Sequence, residues 1–332
     1  MSRNRWRALA GVLLAVAVAA GAAGLRTDGV RAFVAATQDH SVHRRSPVAT
    51  EPSSNPAAPA APARAAGSVT RVIVLVEENH ESSQIVGSRS APFLNSLVAA
   101  GTLLSSYYGI RHPSLPNYLA LLGGDTFGIR SDCTGCRVHA TNLVDQLEGA
   151  HISWRGYFEG LPGPCSAAAF HGSYAKKHNP FMYFDDIRQD PARCRNVVPF
   201  EQFDADVAAG RLPRFVFVVP NQQHDMHSGS VAVGDQWARR LYEGLSASTA
   251  WRQDTRLVVT FDEGTTHGGC CDGLAAGGRI ATIVAGPRVP KGVIDRTTYD
   301  HYSLLASIES LFGLHRLGYA GALSSRVIDA LR

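Results

Sequence analysis

Four short runs of consecutive apolar residues mark the chain, at Arg71–Val76, Phe215–Val219, Leu257–Phe261 and Ile280–Ala285. All are rich in β-branched residues and bounded by polar clusters. Such runs suit strands buried on both faces of a parallel sheet, not the alternating pattern of a half-exposed one. Helix-like stretches separate them, over Ala91–Ala100, Asp235–Ser246 and Tyr302–Phe312. The alternation predicts an α/β fold: a mainly parallel sheet with helices on both faces. No internal repeat is visible.

A fifth apolar run, Ala8–Leu25, has a different meaning. Arg3, Arg5 and Arg7 precede it, and small residues cluster at Ala20-Gly21-Ala22-Ala23. A basic start, an apolar middle and a small-residue end make residues 1–25 a secretory signal peptide. The alternative is an uncleaved N-terminal anchor, which would be the chain's only contact with a membrane. Either way the remainder is expected to be secreted or at the cell surface. Residues 26–67 carry no strand or helix period, and Ser46–Gly67 holds five Pro and eight Ala. That composition predicts a disordered Ala/Pro-rich linker, with the globular domain over residues 68–332.

Composition narrows the classes. Of 332 residues, 45% are hydrophobic and 18% charged, too apolar for a disordered chain. Of 32 basic and 28 acidic side chains, 8 and 3 fall in residues 1–67, leaving 24 and 25 for the globular part. The excess positive charge thus sits in the leader, and charge gives no support for nucleic-acid binding. All six cysteines (Cys133, Cys136, Cys165, Cys194, Cys270 and Cys271) lie beyond the linker. An even count in an exported chain suggests disulfides: Cys133 with Cys136 locally, Cys165 with Cys194 over a longer loop. A bond between adjacent Cys270 and Cys271 is uncommon, and a zinc knuckle is the competing use of these residues.

The chemistry gathers at strand ends. The first strand runs into Glu77-Glu78-Asn79-His80, the second into Pro220 through His227, the third into Asp262-Glu263-Gly264. Ligands of open α/β sheets bind at the carboxyl ends of the strands. Glu78, Asp262 and Glu263 brought together would repel unless a cation sat among them, and oxygen donors favour Mg²⁺, Ca²⁺ or Mn²⁺, with Zn²⁺ also accepted. Taken singly, each acid is more readily a surface cap. Ser114, in His112-Pro113-Ser114-Leu115-Pro116-Asn117-Tyr118, precedes an apolar helix-like run. It is either an N-cap or a nucleophile awaiting activation. His224, His227 and His301 are candidates for a second metal position or for proton transfer. On a strand, His227 and Asp225 would face the same side. Tyr107, Tyr108, Phe181, Tyr183 and Phe184 are core residues or an apolar rim to the pocket.

Five segments in order (Glu78-Asn79-His80, His112 through Tyr118, Lys177-His178-Asn179-Pro180-Phe181, Pro220-Asn221 through Asp225-Met226-His227, and Asp262-Glu263) resemble the bacterial phosphoesterase family of acid phosphatases and phospholipases C. That family lies within the alkaline phosphatase superfamily. The resemblance implies an alkaline-phosphatase-like fold and one divalent metal held by Glu78, Asn79, Asp262 and Glu263. It also implies Ser114 as nucleophile, Asn117 on a phosphate oxygen, and His227 and His301 in proton transfer. His178, Asn179, Asn221, His224 and Asp225 fall in the pocket or at a second metal position, which Asn221, in place of a carboxylate, weakens. The expected activity is phosphate monoester hydrolysis through a phosphoserine. A phosphodiesterase of phospholipase C type and a catalytically silent binding protein are the alternatives. Lipid phosphates such as phosphoinositides enter as substrates only through the resemblance.

Overall fold

A computed structural model describes residues 71–332. The leader, the linker and the expected domain start at residue 68 lie outside the described residues. Eight strands form one sheet: β1 (Arg71–Glu77), β2 (Thr102–Tyr108), β3 (Trp154–Phe158), β4 (Val197–Pro199), β5 (Phe215–Val219), β6 (Thr255–Phe261), β7 (Arg279–Ala285) and β8 (Val293–Asp300). The order across the sheet is β8-β2-β7-β6-β1-β5-β3-β4. The four apolar runs read from sequence are β1, β5, β6 and β7. Every residue of β1, β5 and β6 is buried, as strands covered on both faces require.

One expectation needs correction. β7 runs antiparallel to both of its neighbours, β6 and β2, while the other pairings are parallel. A parallel return needs a crossover of a dozen or more residues, usually a helix. Between Phe261 and Arg279 the chain forms only the three-residue turn Cys271–Gly273, so it doubles back beside the strand it has left.

The longer helices are α1 (Pro92–Ala100), α2 (Leu115–Gly123), α3 (Leu143–Gly149), α4 (Glu201–Ala208), α5 (Val231–Ala247) and α6 (His301–Phe312). They flank the sheet. α1 packs on α5 and α2 on α6. Asp235 of α5 accepts from the backbone N–H groups of Phe93 and Leu94 at 3.0 and 2.8 Å, so a buried carboxylate caps the start of α1. All nine residues of α2 are buried, which makes it an internal helix with no solvated face. Among the described residues no helix is long and apolar enough to cross a membrane.

The six cysteines pair as Cys133–Cys136, Cys165–Cys194 and Cys270–Cys271. The adjacent pair is bonded after all, and the zinc knuckle has no thiol left to build it. Among the described residues the one close group of His, Cys, Asp and Glu ligand atoms is Cys270, Cys271 and Asp300, and both of its sulfurs are consumed in the disulfide. Tyr107, Phe181, Tyr183 and Phe184 are fully buried, so these aromatics form core and not a rim.

The Cys165–Cys194 bond spans 29 positions, and by loop-closure entropy it stabilises the fold by about 3 kcal/mol. The double variant Cys165→Ser/Cys194→Ser is expected to unfold at correspondingly lower denaturant with its activity intact below the transition. Equal midpoints in urea would contradict this.

Candidate active site

β5, β1 and β6 are neighbours, and their registers place the carboxyl ends of β1 and β6 level, with Glu77 opposite Phe261. The segments that follow are stitched together. Glu78 N–H donates to the Asp225 carbonyl at 2.8 Å, and Asp262 N–H to the Glu77 carbonyl at 2.9 Å. The three polar strand ends therefore meet at one edge of the sheet, as the switch-point rule requires. Asn79 adopts φ 59°, a left-handed conformation that Asn tolerates better than most residues. This turn aims its N–H at Asp262 Oδ1, 3.1 Å away.

The turn before α2 bears on the choice left open for Ser114. It occupies the N-cap of α2, but its hydroxyl caps no backbone group. Instead Ser114 Oγ donates to Glu78 Oε1 at 2.5 Å. The capping role has passed to Asp132, whose Oδ1 accepts from Leu115 N–H at 3.0 Å. A serine at a helix start, freed from capping and bonded to a buried carboxylate, is placed for activation.

Glu78 Oε1 also accepts from His178 Nε2 at 2.9 Å and lies 3.3 Å from Lys177 Nζ. His178 Nδ1 is 3.2 Å from Asp225 Oδ2, so one imidazole bridges two buried carboxylates while stacking on Tyr118 at 5.2 Å. Burial pushes the His178 ring down, but its bonds to Asp225 and Glu78 outweigh that and raise it to about 9. For Glu78 burial alone would raise the carboxyl, yet His178 and Lys177 hold it at about 2. Asp225 is pushed up by burial more than His178 lowers it. The state these directions describe is an imidazolium facing an ionised Glu78.

Asp262 and Glu263 behave oppositely. Burial, then the charges of Glu78 and Glu263, push Asp262 well above the usual carboxylate range. Burial, then Glu78, raise Glu263 to about 8. Glu78 Oε2 and Asp262 Oδ2 are buried without a hydrogen-bond partner. Two orphaned carboxylate oxygens, with acids reluctant to ionise beside them, fit a divalent cation well. Glu78, Asp262 and Glu263 do not, however, bring one ligand atom each within 4.8 Å of one another. Glu77, one residue before Glu78, is the last residue of β1. It is fully buried, unpartnered on both oxygens and pushed well up by burial and by Asp225.

Several of the candidate residues bond to the protein itself. Asn117 has little left to give a phosphate. Its Oδ1 accepts from Ile110 and Arg111 N–H at 2.7 and 3.1 Å, and its Nδ2 donates to the Arg111 carbonyl at 2.6 Å and approaches Glu263 Oε2 at 3.4 Å. It staples the turn that carries Ser114. His301 is wholly buried, with Nε2 donating to the Asp262 carbonyl at 2.6 Å and Nδ1 bonded to the Tyr107 hydroxyl at 3.2 Å. Burial lowers it to about 4, against the opposing pull of that carbonyl. A neutral, doubly bonded ring behind Asp262 orients the strand end and is not placed to donate a proton. His227 and Asp225 do not share a side, because they lie in a loop and not on a strand. Met226 between them has φ 75°, turning Asp225 inward and leaving His227 exposed, its ring 6.3 Å from that of His178. His224 is drawn to Glu159 Oε1 at 2.8 Å, and Asn221 N–H bonds Glu159 Oε2 at 3.0 Å, so both serve the loop. Asn179 donates to the Tyr174 hydroxyl at 3.1 Å.

Several contributors were missed in the sequence. Lys177 and Asp132 touch the Ser114 turn, Glu159 anchors the loop after β5, and His112 Nδ1 lies 2.9 Å from Glu263 Oε2. Glu81 Oε1 accepts from Thr265 and Thr266 N–H at 3.1 and 3.0 Å, tying down the loop after Glu263. For Lys177 and His112 there was a signal, since both stand beside residues singled out. Asp132 and Glu159 carried none.

The phosphoesterase family model matches residues 88–315. The chain belongs to the phosphoesterase family. That membership makes it a hydrolase of phosphoric esters. The matched stretch of this phosphoesterase begins after Glu78 and Asn79, so those two residues rest on the geometry above. It is 37% identical over 254 residues to a phosphatidylinositol-3-phosphatase of Mycobacterium tuberculosis, covering 75% of this chain and 79% of that one. It is 32% identical to an acid phosphatase of Aspergillus fumigatus, covering 67% of this chain and about half (51%) of the longer fungal protein. Among solved structures, a protein of the alkaline phosphatase superfamily from Vibrio parahaemolyticus aligns with a TM-score of 0.51 at 14% identity, covering 75% of this chain and 67% of that one. That likeness is one of fold, a mainly parallel sheet flanked by helices.

The raised His178 ring has a thermodynamic consequence. Its ordinary value is 6.5 and its folded value about 9, so its contribution to stability is complete below pH 6.5 and lost as pH rises through 9. The contribution is about 3 kcal/mol. His178→Gln is expected to melt well below the wild type at pH 6, with the gap closing toward pH 9.5. A gap independent of pH in thermal melts would rule out a charged His178.

Proposed function

We propose that this phosphoesterase is an exported, metal-dependent phosphatase that hydrolyses phosphate monoesters through a phosphoserine. The observation that carries the reading is the bond from Ser114 Oγ to Glu78 Oε1, with Glu78 Oε2 left free. One oxygen of the carboxylate serves the nucleophile and the other is available to a cation. Three disulfides agree with an oxidising compartment, and the apolar leader with export.

Glu78 and Asp262, with Glu263 and Asn79 beside them, would hold the divalent ion. When bound, it supplies positive charge for the phosphoryl oxygens and for the Ser114 oxygen as it ionises. The chain's own residues do the remainder. Glu78 Oε1 orients the Ser114 hydroxyl, whose proton passes on to solvent. Ser114 Oγ attacks phosphorus in line, forming the Oγ–P bond as the bond to the alcohol breaks. Asn117 and Asp132 keep the serine turn rigid, so little motion is needed to reach the attacking geometry. His227, exposed beside His178, is the histidine placed to give the leaving oxygen its proton. Water then releases phosphate from the serine. Electrostatic stabilisation should dominate, as in phosphoryl transfer generally.

The Mycobacterium tuberculosis relative's name brings phosphoinositides into the substrate panel. The buried aromatics provide no apolar rim in support of lipid specifically. Ser114→Ala should lower kcat on a chromogenic monoester by about 1000-fold. Chelation should abolish turnover and a divalent ion restore it. Because burial and neighbouring charge raise Asp262 and bring Glu263 to about 8, metal uptake should release protons, read by calorimetry in buffers of different ionisation enthalpy. Turnover indifferent to chelation, or diglyceride released from phosphatidylcholine in place of phosphate from monoesters, would contradict the proposal.

A further inference from the structure

In the Lys177-His178-Asn179-Pro180-Phe181 segment, Lys177 is a charged side chain that the reaction above leaves unused. Lys177 stands on the single turn Lys176–His178, its side chain 13% exposed. Its ammonium lies 3.2 Å from Ser114 Oγ, 3.3 Å from Glu78 Oε1 and 3.3 Å from Asp132 Oδ2. A lysine that only balanced charge would need the two carboxylates alone. This one also donates to the atom that attacks.

The ammonium is held in place from outside the sheet edge. Asp132 divides its two oxygens between Lys177 and the Leu115 N–H that follows Ser114. Asp132 immediately precedes the Cys133–Cys136 disulfide loop. Lys176 clamps the same loop by donating to the Thr134 carbonyl at 2.9 Å. One carboxylate thus fixes both the nucleophile's helix and the cation beside it.

We infer that Lys177 is a catalytic residue of this phosphatase, an ammonium that bonds Ser114 Oγ and then an oxygen of the transferring phosphoryl group, with Asp132 as its positioning residue. The inference rests on the phosphoserine reading above. In the step, the Ser114 proton passes to solvent, the Oγ–P bond forms, and the P–O bond to the alcohol breaks. The leaving oxygen takes its proton from His227, and Lys177 keeps all three of its own. Its role is to donate to the oxygen that carries charge before and during attack, in a site where buried charge interactions are strong. Lys serves here as a point charge whose flexible stem can follow the oxygen from serine to phosphoryl.

The test uses the full chain loaded with its divalent ion, a chromogenic monoester, and inorganic phosphate as a binding probe measured by calorimetry. Lys177→Met is expected to lower kcat about 100-fold with KM changed less than threefold, and to weaken phosphate binding about tenfold. Lys177→Arg should recover part of kcat, and Asp132→Asn should lose about tenfold in kcat while Lys177→Met/Asp132→Asn is no worse than Lys177→Met alone. If Lys177→Met does not fold, Lys177→Gln, which keeps a donor toward Asp132, should show the same two losses. Lys177→Met retaining more than a third of wild-type kcat and phosphate affinity, while Ser114→Ala is inactive, overturns the inference and leaves the phosphatase reading intact. If the wild type itself turns over no monoester, the phosphatase reading fails, and equal phosphate affinity in wild type and Lys177→Met then overturns this inference as well.

Discussion

Burying several carboxylates at one sheet edge is the constraint on which this molecule depends. Glu77, Glu78, Asp225, Asp262 and Glu263 are all less than a tenth exposed. Ionised together in a low-dielectric setting they would drive one another apart. The protein divides the problem. Glu78 is kept charged by His178 and Lys177. Glu77, Asp262 and Glu263 are pushed toward their neutral forms. That division leaves a site with one fixed anion and two acids ready to ionise when positive charge arrives.

The scaffold produces this arrangement through strand order. β1 lies between β5 and β6, so three segments distant in sequence end side by side. Two non-glycine residues in left-handed conformation, Asn79 and Met226, then set which side chains turn inward. Such conformations persist where the surroundings over-determine them, and they gather at functional sites. Behind the site, His301 and Asn117 hold backbone in place instead of touching substrate. Their burial and fully used hydrogen bonds are what mark them as support.

Much of this was legible in the chain. The apolar runs gave β1, β5, β6 and β7 because strands covered on both faces must be continuously apolar. Of the four strands that escaped notice, Val197–Pro199 is only three residues long and the others have mixed composition. Thr102–Tyr108 carries Ser105 and Ser106, Trp154–Phe158 carries Arg155 and Gly156, and Val293–Asp300 is a partly exposed edge strand. The direction of β7 was hidden because it depends on the missing crossover and not on the strand's own residues. The meeting of the segments that carry Glu78 and Asp262 followed from the rule that ligands gather at carboxyl ends of strands, while Ser114 entered through its helix start and the family resemblance. The roles of individual histidines did not follow, because burial decides whether an imidazole donates protons, and burial is a property of the packed molecule. His301 and His227 look alike in sequence and differ entirely in place. Lys177 and Asp132 went unread for a related reason: an isolated Lys or Asp has no pattern until its partner is known.

The central claim is that Glu78, Asp262 and Glu263 gather around one divalent cation beside Ser114. The most direct test is an anomalous-scattering map from crystals of the protein soaked in Mn²⁺. A single strong peak in contact with the carboxylates of Glu78 and Asp262 and next to Ser114 Oγ is the result expected. A site free of anomalous signal at saturating Mn²⁺, or a peak elsewhere with Glu78 still bonded only to His178, Lys177 and Ser114, would contradict it.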